Sequence, residues 1–127
     1  MTFDWLEFLS LGESLMISGK EEEPVNESKL RAAIGRMYYA VFGRVRQHYV
    51  DVERVSFSYG YEDHDILKRE IENRKSPRVA MVFHRLRKKR NDADYDDEFP
   101  GNLISTAESQ LTNAREVLSR HGLLTPQ

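Results

Sequence analysis

Between Asn26 and Tyr49 the chain carries apolar side chains at a spacing that only a helix can use. Leu30, Ala33, Ile34, Met37, Tyr38, Val41, Val45 and Tyr49 follow at steps of three and four, so at 100° per residue they form one stripe. A helix this long and this lopsided must bury its stripe against other elements, and that demand shapes everything around it. Residues 3–18 offer one partner, with Leu6, Leu9, Leu15 and Met16 near helical spacing, Gly12 as a weak point and Gly19 as the expected stop. A short helix is expected from about Asp63, using Leu67 and Ile71. Ser76 and Pro77 make a good helix start, as N-cap and first helical residue, for a helix through Val79, Phe83 and Leu86. A last helix is expected from Asn102 through Ile104, Ala107, Leu111, Ala114 and Leu118, ending at Gly122. The stretch "VSFSYGY" (55–61) alternates with period two, but one strand has nothing to pair with, so it reads as an irregular loop. The expectation is an all-α fold, a four- to five-helix antiparallel bundle forming a single domain over residues 1–127.

Composition narrows the function classes. The chain has 127 residues, enough for one core, and its 39% hydrophobic and 31% charged content fits a globular protein. A formal charge of −2 gives no global pull towards nucleic acid, so a role there requires a local basic patch. The absence of cysteine removes disulfides, thiolate metal sites and a cysteine nucleophile. No apolar run is long enough for a spanning helix, and the early acids of "MTFDWLEF" argue against a signal peptide. The expected setting is cytoplasmic, with no membrane association.

The sharpest local feature is "RKKRNDADYDDEF" (87–99), a basic run followed by an acidic one. Arg87, Lys88 and Lys89 read as charge at a helix C-terminus, where cations offset the partial negative charge of the last carbonyls. Asp96 to Glu98 then read as a solvated loop. Arg90 differs, because it continues the stripe of Val79, Phe83 and Leu86. A cation there is partly desolvated and needs a partner, which Asp94 can supply one turn further on. Arg before Asp at this spacing is the poorer order for helix stability, so the pair points to a tertiary or functional reason.

On the long helix, Tyr39 and Arg46 lie off the main stripe, on a flank that is either a partly buried edge or a second ligand- or dimer-facing surface. Arg36 points nearly opposite the stripe and is expected to be solvated. "EDHD" (62–65) is a weak set of metal ligands, and Asp63 with His64 reads better as a helix cap. No metal site and no cofactor are expected.

Two stretches in this order resemble the HEPN superfamily of small helical domains: "RAAIGRMYYAVFGRVRQHY" (31–49), with an "R-x-Y-Y-A-x-F" core, and "RNDADYD" (90–96), similar to an "R-N-x-A-D-Y-D" signature. His64 also sits where that family often has a histidine. The resemblance spans about residues 25–120 and implies a homodimer in which two Arg90–Tyr95 segments face one another across a cleft. Many members are metal-independent ribonucleases whose arginine stabilises the phosphorane while a histidine four to six positions on moves the proton. Here Arg90 and Asn91 match, but Tyr95, Asp96 and Asp97 occupy the histidine positions. A tyrosine hydroxyl, with an ordinary pKa near 10, is a poor base at neutral pH. Arg78 with His84, and Arg115 with His121, repeat the spacing, but each pair would sit mid-helix on diverging faces and is set aside.

The resemblance therefore implies first a binding module for RNA, a nucleotide or a nucleotidyltransferase-type partner, as in toxin–antitoxin pairs. Its binding residues would be Arg90, Asp94, Tyr95, Tyr39 and Arg46. The alternatives are a metal-independent ribonuclease toxin using Arg90, Asn91 and Tyr95, and a helical scaffold in which Arg90 and Asp94 only lock a helix end.

Overall fold

A computed structural model of the chain describes residues 2–125. Five α-helices follow in order: α1 (Leu6–Glu21), α2 (Glu27–Asp51), α3 (Asp63–Arg74), α4 (Pro77–Tyr95) and α5 (Leu103–Arg120). Among the described residues there is no strand, and the 55–61 segment is a loop as expected. The fold is an all-α bundle. α2 packs against each of the other four helices and is its axis.

Local chemistry places the helix ends. Asn26 accepts a hydrogen bond from Lys29 N at 3.1 Å, Ser76 from Val79 N at 3.1 Å and Asn102 from Ser105 N at 2.9 Å. Each bond satisfies a donor that the first helical turn leaves open. α5 stops where Gly122 takes φ +68°, with Leu123 N bonding Leu118 O and Gly122 N bonding Ser119 O. That is the Schellman arrangement, and it folds Leu123 back into the core.

All eight side chains of the α2 stripe are buried, in one cluster with Leu67, Ile71, Val79, Phe83, Leu86, Leu111, Val117 and Leu118. Burial of each large side chain contributes roughly 1.5–3 kcal/mol. The opposite face of α2 is covered too, by α1, and glycines make this possible. A Cβ on Gly12 would lie 3.1 Å from Met37 Cγ, and one on Gly43 would overlap the Trp5 indole. Gly19 does not end α1, which runs on to Glu21. Its missing side chain instead lets the start of α2 come close, since a Cβ there would sit 3.0 Å from Lys29 Cβ. Arg36 is likewise not left to solvent: its guanidinium stacks 4.8 Å from the centre of the Phe8 ring on α1.

The basic run is not a helix end either. α4 continues through Tyr95 and has no basic residue in its last turn. Lys88 bonds Asp92 one turn ahead at 3.0 Å, and Lys89 Nζ stands 4.0 Å from the same carboxylate. The cation that caps α4 comes from α2: Arg31 donates to the carbonyls of Ala93 (3.0 Å), Asp96 (2.6 Å) and Asp97 (3.3 Å). The first carbonyls of the acidic loop are thus pinned to the bundle. No described helix is long and apolar enough to cross a membrane.

Candidate functional site

Arg90 sits where α4 crosses α2. Its side chain is 15% exposed; Nε donates to Asp94 Oδ2 at 3.1 Å and Nη1 to Asn91 Oδ1 at 2.9 Å. The guanidinium lies 5.3 Å from the Tyr39 ring centre, 5.9 Å from that of Tyr38 and 5.8 Å from that of Tyr95. Gly35 leaves room for the Asp94 carboxylate against α2, with Oδ1 3.8 Å from where a Cβ would stand. Arg90, Asn91, Asp94, Tyr95 and Tyr39 therefore form one cluster. Tyr95 is 73% exposed, and no hydrogen bond engages its hydroxyl among the described residues.

Beside this cluster runs an open groove of about 320 Å³ between α2, α3 and α4, lined by Tyr38, Tyr39, Phe42, Gly60, Tyr61, His64, Arg87 and Arg90. Two of these cations differ in their commitments. Arg90 spends two nitrogens inside its own helix. Arg87 makes no hydrogen bond among the described residues, its nearest carboxylate oxygen being Asp65 Oδ1 at 3.8 Å.

The groove wall holds a chain of polar contacts across three helices. The Tyr38 hydroxyl shares a 2.9 Å hydrogen bond with His64 Nδ1, and His64 Nε2 lies 3.3 Å from His84 Nδ1. His64 is buried and stacks on Phe83 at 4.6 Å between ring centres. Burial, reinforced by the charges of Arg87 and His84, pulls its pKa down to about 3, so its ring is neutral at physiological pH. Burial pushes the Tyr38 hydroxyl well above the usual tyrosine range. His84 is exposed, and partial desolvation followed by the charges of Lys68 and Arg87 lowers its pKa below the ordinary value.

Arg46 belongs to a neighbouring structure. Its Nη1 pairs with Asp63 Oδ2 at 3.0 Å, and its guanidinium lies between the rings of Phe42 and Tyr59, at 4.7 and 4.8 Å. Asp63 also accepts from Ser58 N, Ser58 Oγ and Tyr59 N. Burial opposes its ionisation, yet these bonds and Arg46 outweigh it and hold the carboxyl below its ordinary pKa. Asp63 therefore fastens the 55–61 loop, in which Tyr59 has φ +59°. The cap expected of Asp63 and His64 is absent, because α3 has no side-chain N-cap. Among the described residues no group of three His, Cys, Asp or Glu is arranged to hold a metal.

The structure thus separates Arg46, engaged with the loop, from the cluster around Arg90, and it adds residues that sequence reasoning did not assign to a site. Tyr38 reads as core by spacing, His64 as a cap, Arg87 as helix-end charge, and His84 as one half of a discarded pair with Arg78. Arg78 bonds Glu116 on α5, and Arg115 bonds Glu13 on α1. His84 finds its partner on α3 instead. Only the fold brings these residues together, since they lie on α2, α3 and α4. No family model, curated protein or solved structure matches this chain.

Proposed function

We propose that this protein is a HEPN-like helical module that binds RNA or a nucleotide through the groove beside Arg90, working as a homodimer. The observation that carries the reading is the combination of two arginines with open aromatic faces in one groove. Guanidinium groups meet phosphate oxygens, and exposed rings such as Tyr61, which is 89% exposed, accept stacked bases. Net charge does not oppose this, because α4 carries a local run of basic side chains from Arg87 to Arg90. The homodimer and a nucleotidyltransferase-type partner, as in a toxin–antitoxin pair, are carried by the resemblance of "RAAIGRMYYAVFGRVRQHY" and "RNDADYD" to the superfamily.

One observation favours the scaffold reading. Arg90 already bonds Asp94 and Asn91, which would suffice to fix the end of α4. Arg90→Ala separates the two. Binding of a short fluorescent single-stranded RNA should weaken roughly tenfold or more, with the fold retained by circular dichroism. Unchanged RNA affinity with a lowered melting temperature would leave the scaffold.

A further inference from the structure

Most basic side chains that join the helices of this bundle are met by a carboxylate. Lys20 pairs with Glu108, Arg46 with Asp63, Arg74 with Glu53 and Glu70, and Arg115 with Glu13. Acids are not scarce, since 21 Asp and Glu stand beside 19 Lys and Arg. Two cations on α4 nevertheless go without. Arg85 and Lys89 sit one turn apart on the flank of α4 turned to α5, and both line an open groove of about 390 Å³ between these helices. Arg85 is exposed and has neither a hydrogen bond nor an ion pair among the described residues. Lys89 Nζ stands 4.0 Å from Asp92 Oδ2, too far for a hydrogen bond. Like charges one turn apart destabilise a helix, so the pair does nothing for the stability of α4.

The facing wall suits the same kind of ligand. The two helices run antiparallel here, with Gln110 Nε2 bonding Leu86 O and Arg78 bonding Glu116. That register places Ser105, Ser109 and Asn113, each one turn from the next, along the groove. Ser109 Oγ and the Asn113 amide make no hydrogen bond among the described residues, and Ser105 Oγ has only a 3.3 Å bond to Asn102 O. Among the described residues, no carboxylate and no aromatic ring lines the groove. The carboxylates to either side along these helices are already engaged, Asp92 by Lys88 at 3.0 Å and Glu116 by Arg78 at 3.4 Å. What remains uncommitted is a set of N–H and O–H donors with two positive charges.

The geometry points to a phosphate-binding site between α4 and α5, in which Arg85 and Lys89 hold a phosphoryl group and Ser109 and Asn113 complete its hydrogen bonds. A guanidinium meets two oxygens of such a group at once, and an ammonium meets a third as a point charge. The site does not depend on RNA lying beside Arg90. Arg87 and Arg90 face the groove with α2 and α3, whereas Arg85 and Lys89 face α5. The two grooves also differ in chemistry. Tyr39, Phe42 and Tyr61 offer a base rings to stack on, but the α4–α5 groove has no flat surface for one. It reads phosphate alone, either in a free oligophosphate or in the backbone of a nucleic acid.

The test titrates the full chain with inorganic tripolyphosphate at constant ionic strength, following backbone amides by nuclear magnetic resonance and affinity by calorimetry. The wild type should saturate, with shifts centred on Arg85, Lys89, Ser109 and Asn113. Arg85→Gln and Lys89→Gln should each weaken binding about tenfold. Their melting temperatures should hold or rise slightly, because a like-charge repulsion is relieved. Arg69→Gln removes the same charge from an exposed position on α3, which makes no contact with α5, and should leave binding unchanged. A short single-stranded RNA then identifies the source of the phosphate. RNA affinity lowered by Arg85→Gln places a nucleic-acid backbone in the site, and unchanged RNA affinity leaves a free oligophosphate. A wild type that does not saturate, or a loss in Arg69→Gln equal to that in Arg85→Gln, overturns the site. Neither result bears on the groove beside Arg90, which Arg90→Ala tests by itself.

Discussion

Tyr38 and Tyr49 lie three turns apart on almost the same face of α2, and the hydroxyl of each shares a hydrogen bond with a buried histidine from another helix region. The difference is in what the histidine does with its second nitrogen. His121 spends it on the carbonyl of Val117 inside the turn that closes α5. His64 passes it to His84, which is exposed and lies one turn from Arg87 on α4. A buried imidazole needs only a fixed acceptor to be satisfied, so the Val117 solution is the one expected of a structural histidine. A second imidazole does the same work less rigidly and adds a titratable atom at the surface. The same donor–acceptor chemistry therefore builds a lock at the C-terminal end of α2 and an open chain of contacts at its middle.

Acid should treat the two pairs alike and gives the largest effect. Burial depresses the pKa of both histidines, that of His64 to about 3 from an ordinary 6.5. The unfolded chain binds a proton at each near pH 6.5 while the folded chain does not, so their contribution is fully present above that pH and is lost as pH falls towards the folded values. Each unit of acidification inside this window costs up to about 1.4 kcal/mol per histidine. Urea unfolding followed from pH 7 to pH 4.5 should show stability falling steadily; a flat profile would mean that neither ring is held neutral.

Substitution should then separate the pairs. Tyr49→Phe strands His121 Nε2 in the core and should cost about 1–3 kcal/mol by thermal or urea unfolding, with RNA affinity untouched. Tyr38→Phe should fall at the lower end of that range, because His64 keeps His84, and since Tyr38 lines the groove it should also change RNA affinity. Equal stability losses with no functional difference would erase the distinction between the pairs.

How much of this was legible in the sequence follows the range of the interactions involved. The α2 stripe, the caps at Asn26, Ser76 and Asn102 and the stop at Gly122 depend on neighbours within a few residues, so spacing and residue type reveal them. The Arg90–Asp94 pair was readable for the same reason. The end of α4 was not, because its capping cation is Arg31, brought from α2 by the packing of the two helices. Gly19 was misread as a terminator because a glycine that admits a neighbouring helix looks the same in one dimension as a glycine that ends its own. The chain of contacts through His64 was hidden more completely. Tyr38 counts as core by periodicity, and nothing local links it to a histidine on α3 or to another on α4.

The central claim is that the groove beside Tyr38 and His64 receives RNA and the region around Tyr49 and His121 does not. The most direct measurement is a nuclear magnetic resonance titration of the isotopically labelled full chain with the short single-stranded RNA, following backbone amides together with arginine and histidine side chains. The account predicts shifts at Tyr61, His64, His84, Arg87 and Arg90, with Tyr49, His121 and Leu123 unmoved. Shifts centred on the region around Tyr49 and His121, or none in the groove at saturating RNA, would contradict it.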